Sequence, residues 1–123
     1  MRKIAILVGV VALLTALFAT AAWAANFQCT SKPCYGTNQG DVISERGGSL
    51  NDEIYGRRGA DRINAAEFGG DADILYGGRG DDRLDARDGD GRDELWAGPG
   101  FDRCFGDTGD VYRGCEIING VVQ

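Results

Sequence analysis

Two hydrophobic patterns divide the chain. From Ile4 to Phe18 the residues are apolar except Gly9 and Thr15. Beyond Gly36 the recurring large side chains stand one at a time in polar, glycine-rich sequence: Ile43, Ile54, Ile63, Leu75, Leu84, Leu95, Cys104 and Tyr112. Each lies two residues after an aspartate: Asp41, Asp52, Asp61, Asp73, Asp82, Asp93, Asp102 and Asp110. Successive gaps are 11, 9, 12, 9, 11, 9 and 8 residues. The pattern predicts very short strands, each with its middle residue pointing inward and its neighbours outward.

The sequence around each aspartate repeats. Gly77-Gly78-Arg79-Gly80-Asp81-Asp82-Arg83-Leu84-Asp85 matches the nonapeptide G-G-x-G-x-D-x-U-x, where U is large and apolar. Gly56 to Asn64 matches at all but the second position, and Ala97 to Phe105 keeps the second, fourth and sixth. Weaker copies begin at Gly36, Gly47, Phe68 and Asp88, and a partial unit surrounds Asp110. Long and short gaps alternate through most of the array. If two repeats form one coil, the insertions Glu45-Arg46, Ala65-Ala66-Glu67 and Ala86-Arg87 all fall on one edge. A solenoid tolerates insertions on one face while the opposite edge keeps register.

These repeats resemble the calcium-binding nonapeptides of the RTX, or haemolysin-type, proteins over about Gly36 to Tyr112. The layout is also similar to small secreted bacterial proteins made of little more than such repeats, with an early cysteine pair and a terminal Cys-Glu like Cys115-Glu116. The resemblance implies an all-β fold, a short parallel β-roll, with Ca²⁺ held between stacked turns on one edge. Asp41, Asp61, Asp82 and Asp102 share the short-loop edge. The best candidate sites lie between Asp61 and Asp82 and between Asp82 and Asp102, with carbonyls from Gly56, Gly59, Gly77, Gly78, Gly80, Gly98 and Gly100. Asp52, Asp73 and Asp93, with Asp110, share the insertion edge. That edge is less regular, because Leu50 and Asp71 replace the fourth-position glycine and Asp88 and Asp90 add charge to one turn. RTX toxins usually leave the cell by a C-terminal signal, whereas an N-terminal one is expected here.

Composition fits calcium chemistry. Glycine makes up 20 of 123 residues, and the 19 acids comprise 14 Asp and 5 Glu. Helices favour Glu, whereas turns and oxygen-ligand metal sites favour Asp. Ca²⁺ takes six to eight oxygens from carboxylates and carbonyls. Glycine allows a positive φ and turns its carbonyl inward. A metal-free solenoid with a solvated acidic surface is the plainer alternative. An EF-hand is excluded by spacing. The net charge of −6 argues against nucleic acid. With no histidine, the commonest general base and zinc ligand are missing. No G-x-S-x-G, Walker loop or H-E-x-x-H occurs, and a small solenoid offers no deep pocket, so no enzyme activity is expected.

Met1-Arg2-Lys3, the apolar run and Ala22-Trp23-Ala24 form the pattern of a secretory signal peptide over residues 1–24. The alternative is a membrane span, but the run is short of about 20 residues. The expected mature chain has 99 residues, carries 11 basic and 19 acidic side chains for a charge of −8, and holds no membrane span. Cys29, Cys34, Cys104 and Cys115 all lie in it, and an even count in a small exported protein reads as disulfides. Of three possible connectivities, the local pairs Cys29–Cys34 and Cys104–Cys115 are preferred; a zinc site lacks any C-x-x-C or His partner. The expected organisation is a disulfide cap over 25–35, the β-roll over 36–112 and a C-terminal cap over 113–123, either a last strand or a loose tail.

The residue after each inward position points outward. On one side these are Tyr55, Tyr76 and Trp96, and Tyr35 falls in the same phase, giving gaps of 20, 21 and 20. Coils lie about 4.8 Å apart, so the rings are expected to stack. Stacking can serve stability alone, or form a flat face for a cell-wall glycan or protein partner. The expected function is a secreted calcium-binding β-roll protein that folds on binding Ca²⁺, structural or adhesive outside the cell.

Overall fold

The computed structural model describes residues 24–48 and 50–123; the expected signal segment lies almost wholly outside them. Twelve strands follow one another: β1 (Asn26–Gln28), β2 (Cys34–Tyr35), β3 (Val42–Ser44), β4 (Glu53–Arg58), β5 (Arg62–Asn64), β6 (Ile74–Arg79), β7 (Arg83–Asp85), β8 (Glu94–Trp96), β9 (Arg103–Phe105), β10 (Val111–Arg113), β11 (Ile117–Ile118) and β12 (Val121–Val122). They alternate between two sheets. One has the order β1-β3-β5-β7-β9-β11-β12, the other β10-β8-β6-β4-β2. All pairings are parallel except β11 with β12. The chain is therefore a parallel β-solenoid of two half-coils per turn.

Register places like on like. Ile43, Ile63, Leu84 and Cys104 align across one sheet, and Ile54, Leu75 and Leu95 across the other. All seven are essentially inaccessible to water, whereas Tyr112 is half-buried. A second inward row was not anticipated. The residue two beyond each apolar position is also buried: Ala65, Ala86 and Gly106 in one sheet, Gly56, Gly77 and Ala97 in the other. In these six positions the buried residue is alanine or glycine. Glu45 occupies the same row and is also fully buried.

Strands β4 and β6 run to six residues rather than the three expected, because Arg57 and Arg58 pair with Gly78 and Arg79 through the short-loop turn. Both ends are closed covalently, by Cys29–Cys34 and Cys104–Cys115. At the C-terminal end β11 pairs with β9, and β12 folds back on β11. Asn119 continues this end with its side chain, accepting from the Gly106 N–H and donating to the Gly106 carbonyl, each at 3.1 Å. The C-terminal residues thus form capping strands. Among the described residues no helix is long and apolar enough to cross a membrane.

Candidate metal centre

The aspartate of each repeat ties its coil to the coil before it. The Asp41 N–H donates to Asp61 Oδ1 at 2.7 Å, the Asp61 N–H to Asp82 Oδ1 at 2.8 Å, and the Asp82 N–H to Asp102 Oδ1 at 2.7 Å. The Asp102 N–H ends the series on Glu116 Oε2 at 2.6 Å. On the insertion edge the Asp52 N–H donates to Asp73 Oδ1, the Asp73 N–H to Asp93 Oδ1 and the Asp93 N–H to Asp110 Oδ1. Two acid stacks therefore run along the roll, one at each edge, as the repeat phase predicts.

One oxygen each of Asp61, Asp82, Asp102, Asp73, Asp93 and Asp110 is used in this way, and the remaining oxygens separate the acids into two groups. Asp61, Asp82 and Asp102 on one edge, and Asp73 and Asp93 on the other, each keep a buried Oδ2 with no hydrogen-bond partner. Asp41, Asp52 and Asp110 are satisfied by protein. Asp41 accepts from the Thr37 and Ala25 N–H groups and the Thr37 hydroxyl. Asp52 accepts from the Arg46 N–H and Nε and forms an ion pair with its guanidinium at 2.6 Å. Asp110 accepts from the Asp107 and Asp93 N–H groups. Asp41 at one end of its stack and both end aspartates of the other, Asp52 and Asp110, are thus closed, whereas the inner aspartates and Asp102 are open.

Glycines make room for the open oxygens. A Cβ on Gly77 would lie 2.5 Å from Asp82 Oδ2, and one on Gly56 would lie 2.4 Å from Asp61 Oδ2. In the turns themselves successive coils nearly touch. A Cβ on Gly80 would fall 2.0 Å from the Gly59 carbonyl oxygen, and one on Gly100 would fall 1.8 Å from that of Gly80. Gly80 also holds φ at +133°, which a side chain would strain. The glycines expected to supply carbonyls thus bring stacked turns into contact beside the acids.

Burial raises the acids' pKa values. Asp61, Asp82 and Asp102 are each pushed up to about 6, and Asp73 and Asp93 to about 7. Desolvation is the largest cause in every case; the N–H donated by the preceding coil opposes it, and neighbouring carboxylates add to it. Unpartnered buried carboxylate oxygens near neutrality call for either protons or a cation. The donor set is oxygen only, which suits a hard ion such as Ca²⁺ and not zinc or copper.

The aromatic series is also formed. Tyr35 stacks on Tyr55 at 5.1 Å between centroids, Tyr55 on Tyr76 at 4.4 Å, and Tyr76 on Trp96 at 6.1 Å. Tyr55 donates its hydroxyl to Glu53, and Trp96 donates its Nε1–H to Glu94 at 3.0 Å. Arg57 lies over Tyr35 and Arg113 over Trp96, at 4.9 and 4.6 Å. These arginines escaped the sequence reading, since their partners lie about one coil away.

The family model for the RTX calcium-binding nonapeptide repeat matches residues 46–67, 69–104 and 86–111, together 65 of the 123 residues. No curated protein and no solved structure matches the chain.

Proposed function

The chain belongs to the RTX calcium-binding nonapeptide repeat family, and from that premise we propose that it is a secreted β-roll whose folding is coupled to Ca²⁺ and whose role outside the cell is structural or interactive, without catalysis. One observation carries the reading: five repeat aspartates stand in two stacks, each with a buried oxygen that no protein donor reaches. Ca²⁺ supplied to Asp61, Asp82, Asp102, Asp73 and Asp93 would neutralise them and tie successive turns together. The cation contributes charge neutralisation and coordination; the chain contributes carboxylates held by the preceding coil's N–H groups and turns narrow enough to present carbonyls. Two disulfides favour an oxidising compartment. Extracellular modules bind Ca²⁺ at about 10⁻⁴ to 10⁻³ M, so folding would await export. Titration of the purified protein with Ca²⁺, followed by circular dichroism, tests this. The β-signal should rise with calcium and collapse in chelator; a spectrum and melting curve indifferent to chelator would refute it.

A second reading has its own observation. Arg57, Arg58, Arg79 and Arg113 line a groove of about 680 Å³ beside Tyr76 and Trp96. Among the described residues none of these arginines forms an ion pair with an acid. Unpaired cations beside a ring face, in a chain with excess acid, favour an anionic cell-wall glycan, with an acidic protein surface as the rival ligand. Trp96→Ser in the calcium-loaded protein should abolish retention on acidic cell-wall polysaccharide at unchanged melting temperature. Lost stability without any glycan retention by the parent would leave ring stacking as the ladder's only role.

A further inference from the structure

The insertion edge carries a group of acids that the nonapeptide does not supply. Glu45 belongs to an insertion, and Asp71 stands where the repeat has its fourth-position glycine. With Asp73 they bring one carboxylate oxygen each to within 4.8 Å of one another. All three side chains are buried, exposing 0%, 3% and 0% of their surface. Glu45 Oε2, both oxygens of Asp71 and Asp73 Oδ2 have no hydrogen-bond partner.

The remaining contacts position the group without neutralising it. Glu45 Oε1 accepts the Glu67 and Phe68 N–H groups at 2.6 and 3.1 Å. Asp73 Oδ1 accepts the Asp52 N–H at 2.6 Å. The nearby Arg46 is committed to Asp52. Among the described residues no side-chain cation pairs with the three acids.

The position of Glu45 sharpens the point. It lies two residues past Ile43, in the row where later coils place Ala65 and Ala86. Alanine satisfies that row, so the fold does not require a carboxylate there. A buried, ionised acid in an alanine position, aimed at two further acids without donors, costs free energy unless a proton or a cation neutralises it.

We propose that Glu45 and Asp71, two acids from outside the nonapeptide motif, join the motif's Asp73 in a divalent-cation site on the insertion edge, taking Ca²⁺. This rests on the calcium-binding reading only for the ion's identity; the ligands Glu45 and Asp71 lie outside the motif's glycine-carbonyl pattern. The three carboxylates leave four unpartnered hard oxygens, and their placement across two coils makes the ion a clamp between the insertion after β3 and the turn before β6. Asp71 also approaches Asp88 and Asp90, so charge neutralised at Asp71 relieves the next turn as well.

Native mass spectrometry of the full chain in calcium tests the site by counting ions. Glu45→Ala, which copies the neighbouring coils, and the isosteric Glu45→Gln should each bind one ion fewer than the parent. In chelator both should retain more β-signal than the parent, since a buried charge is gone. Asp82→Asn serves as the control for the motif edge. If both Glu45 variants bind the parent's number of ions while Asp82→Asn binds fewer, this site is refuted and the family reading stands. If the parent binds no calcium, both fail. A Glu45 variant with unchanged ion count but raised stability would assign the group to a proton-sharing cluster and overturn the cation site.

Discussion

Asp82→Asn should change stability in opposite directions with and without calcium. Asp82 sits mid-stack, donating its N–H to Asp102 and accepting the Asp61 N–H. Asparagine keeps an oxygen for Asp61 but removes the charge and replaces the unpartnered Oδ2. Without metal, burial moves this carboxyl from 3.8 to about 6. Two units at about 1.4 kcal/mol each set a ceiling of about 3 kcal/mol for the cost of ionising it in the folded state at neutral pH. Metal-free Asp82→Asn should therefore retain more structure at pH 7.5. With calcium the variant loses a charged ligand at the centre of the motif edge and should melt lower. For a domain of this size each 1 kcal/mol corresponds to about 4–8 °C. The assay is far-ultraviolet circular dichroism of parent and variant, as a melting curve at saturating calcium and as retained β-signal in chelator. A loss of equal size in both conditions would refute the reasoning, because it would make Asp82 a structural hydrogen-bond acceptor and nothing more.

Three further outcomes follow from the same geometry. In chelator, acidification should restore the fold: Asp61, Asp73, Asp82, Asp93 and Asp102 have folded-state pKa values of about 6 to 7 against 3.8, so folding takes up protons and metal-free stability falls as pH rises from about 4 to 7; a β-signal in chelator that does not grow between pH 7.5 and 5 would contradict this. Gly80→Ala places a Cβ 2.0 Å from the Gly59 carbonyl oxygen at a φ of +133° and should cost several kcal/mol even at saturating calcium, read as a lowered denaturation midpoint. Reducing Cys104–Cys115, whose Cys104 is fully buried, should cost the calcium-loaded protein a few kcal/mol of stability, read as a lowered melting temperature, whereas alkylation with no thermal shift would make the bridge dispensable.

The repeat phase carried most of this fold. Alternating gaps between Asp41 and Asp102 are enough to define two half-coils, because insertions in a parallel stack must share an edge. The same phase placed Ile54 over Leu75 and Tyr55 over Tyr76, as the register confirms. Local cysteine spacing pointed to the bridges that formed. Sequence could not decide which repeat acids remain open, since Thr37, Arg46 and Asp107 satisfy Asp41, Asp52 and Asp110 through contacts that the motif does not encode. Nor could it reveal that Glu45 is buried. The repeat phase places its insertion only on an edge of the roll, and the folded chain turns Glu45 inward, where the Glu67 and Phe68 N–H groups of the next coil hold it beside acids that stand 26 and 28 residues further along the chain. A solenoid writes its axial neighbours in a repeat of about 20 residues; which side chains turn from a loop into the core depends on the donors that neighbouring coils offer them, which only the folded structure sets.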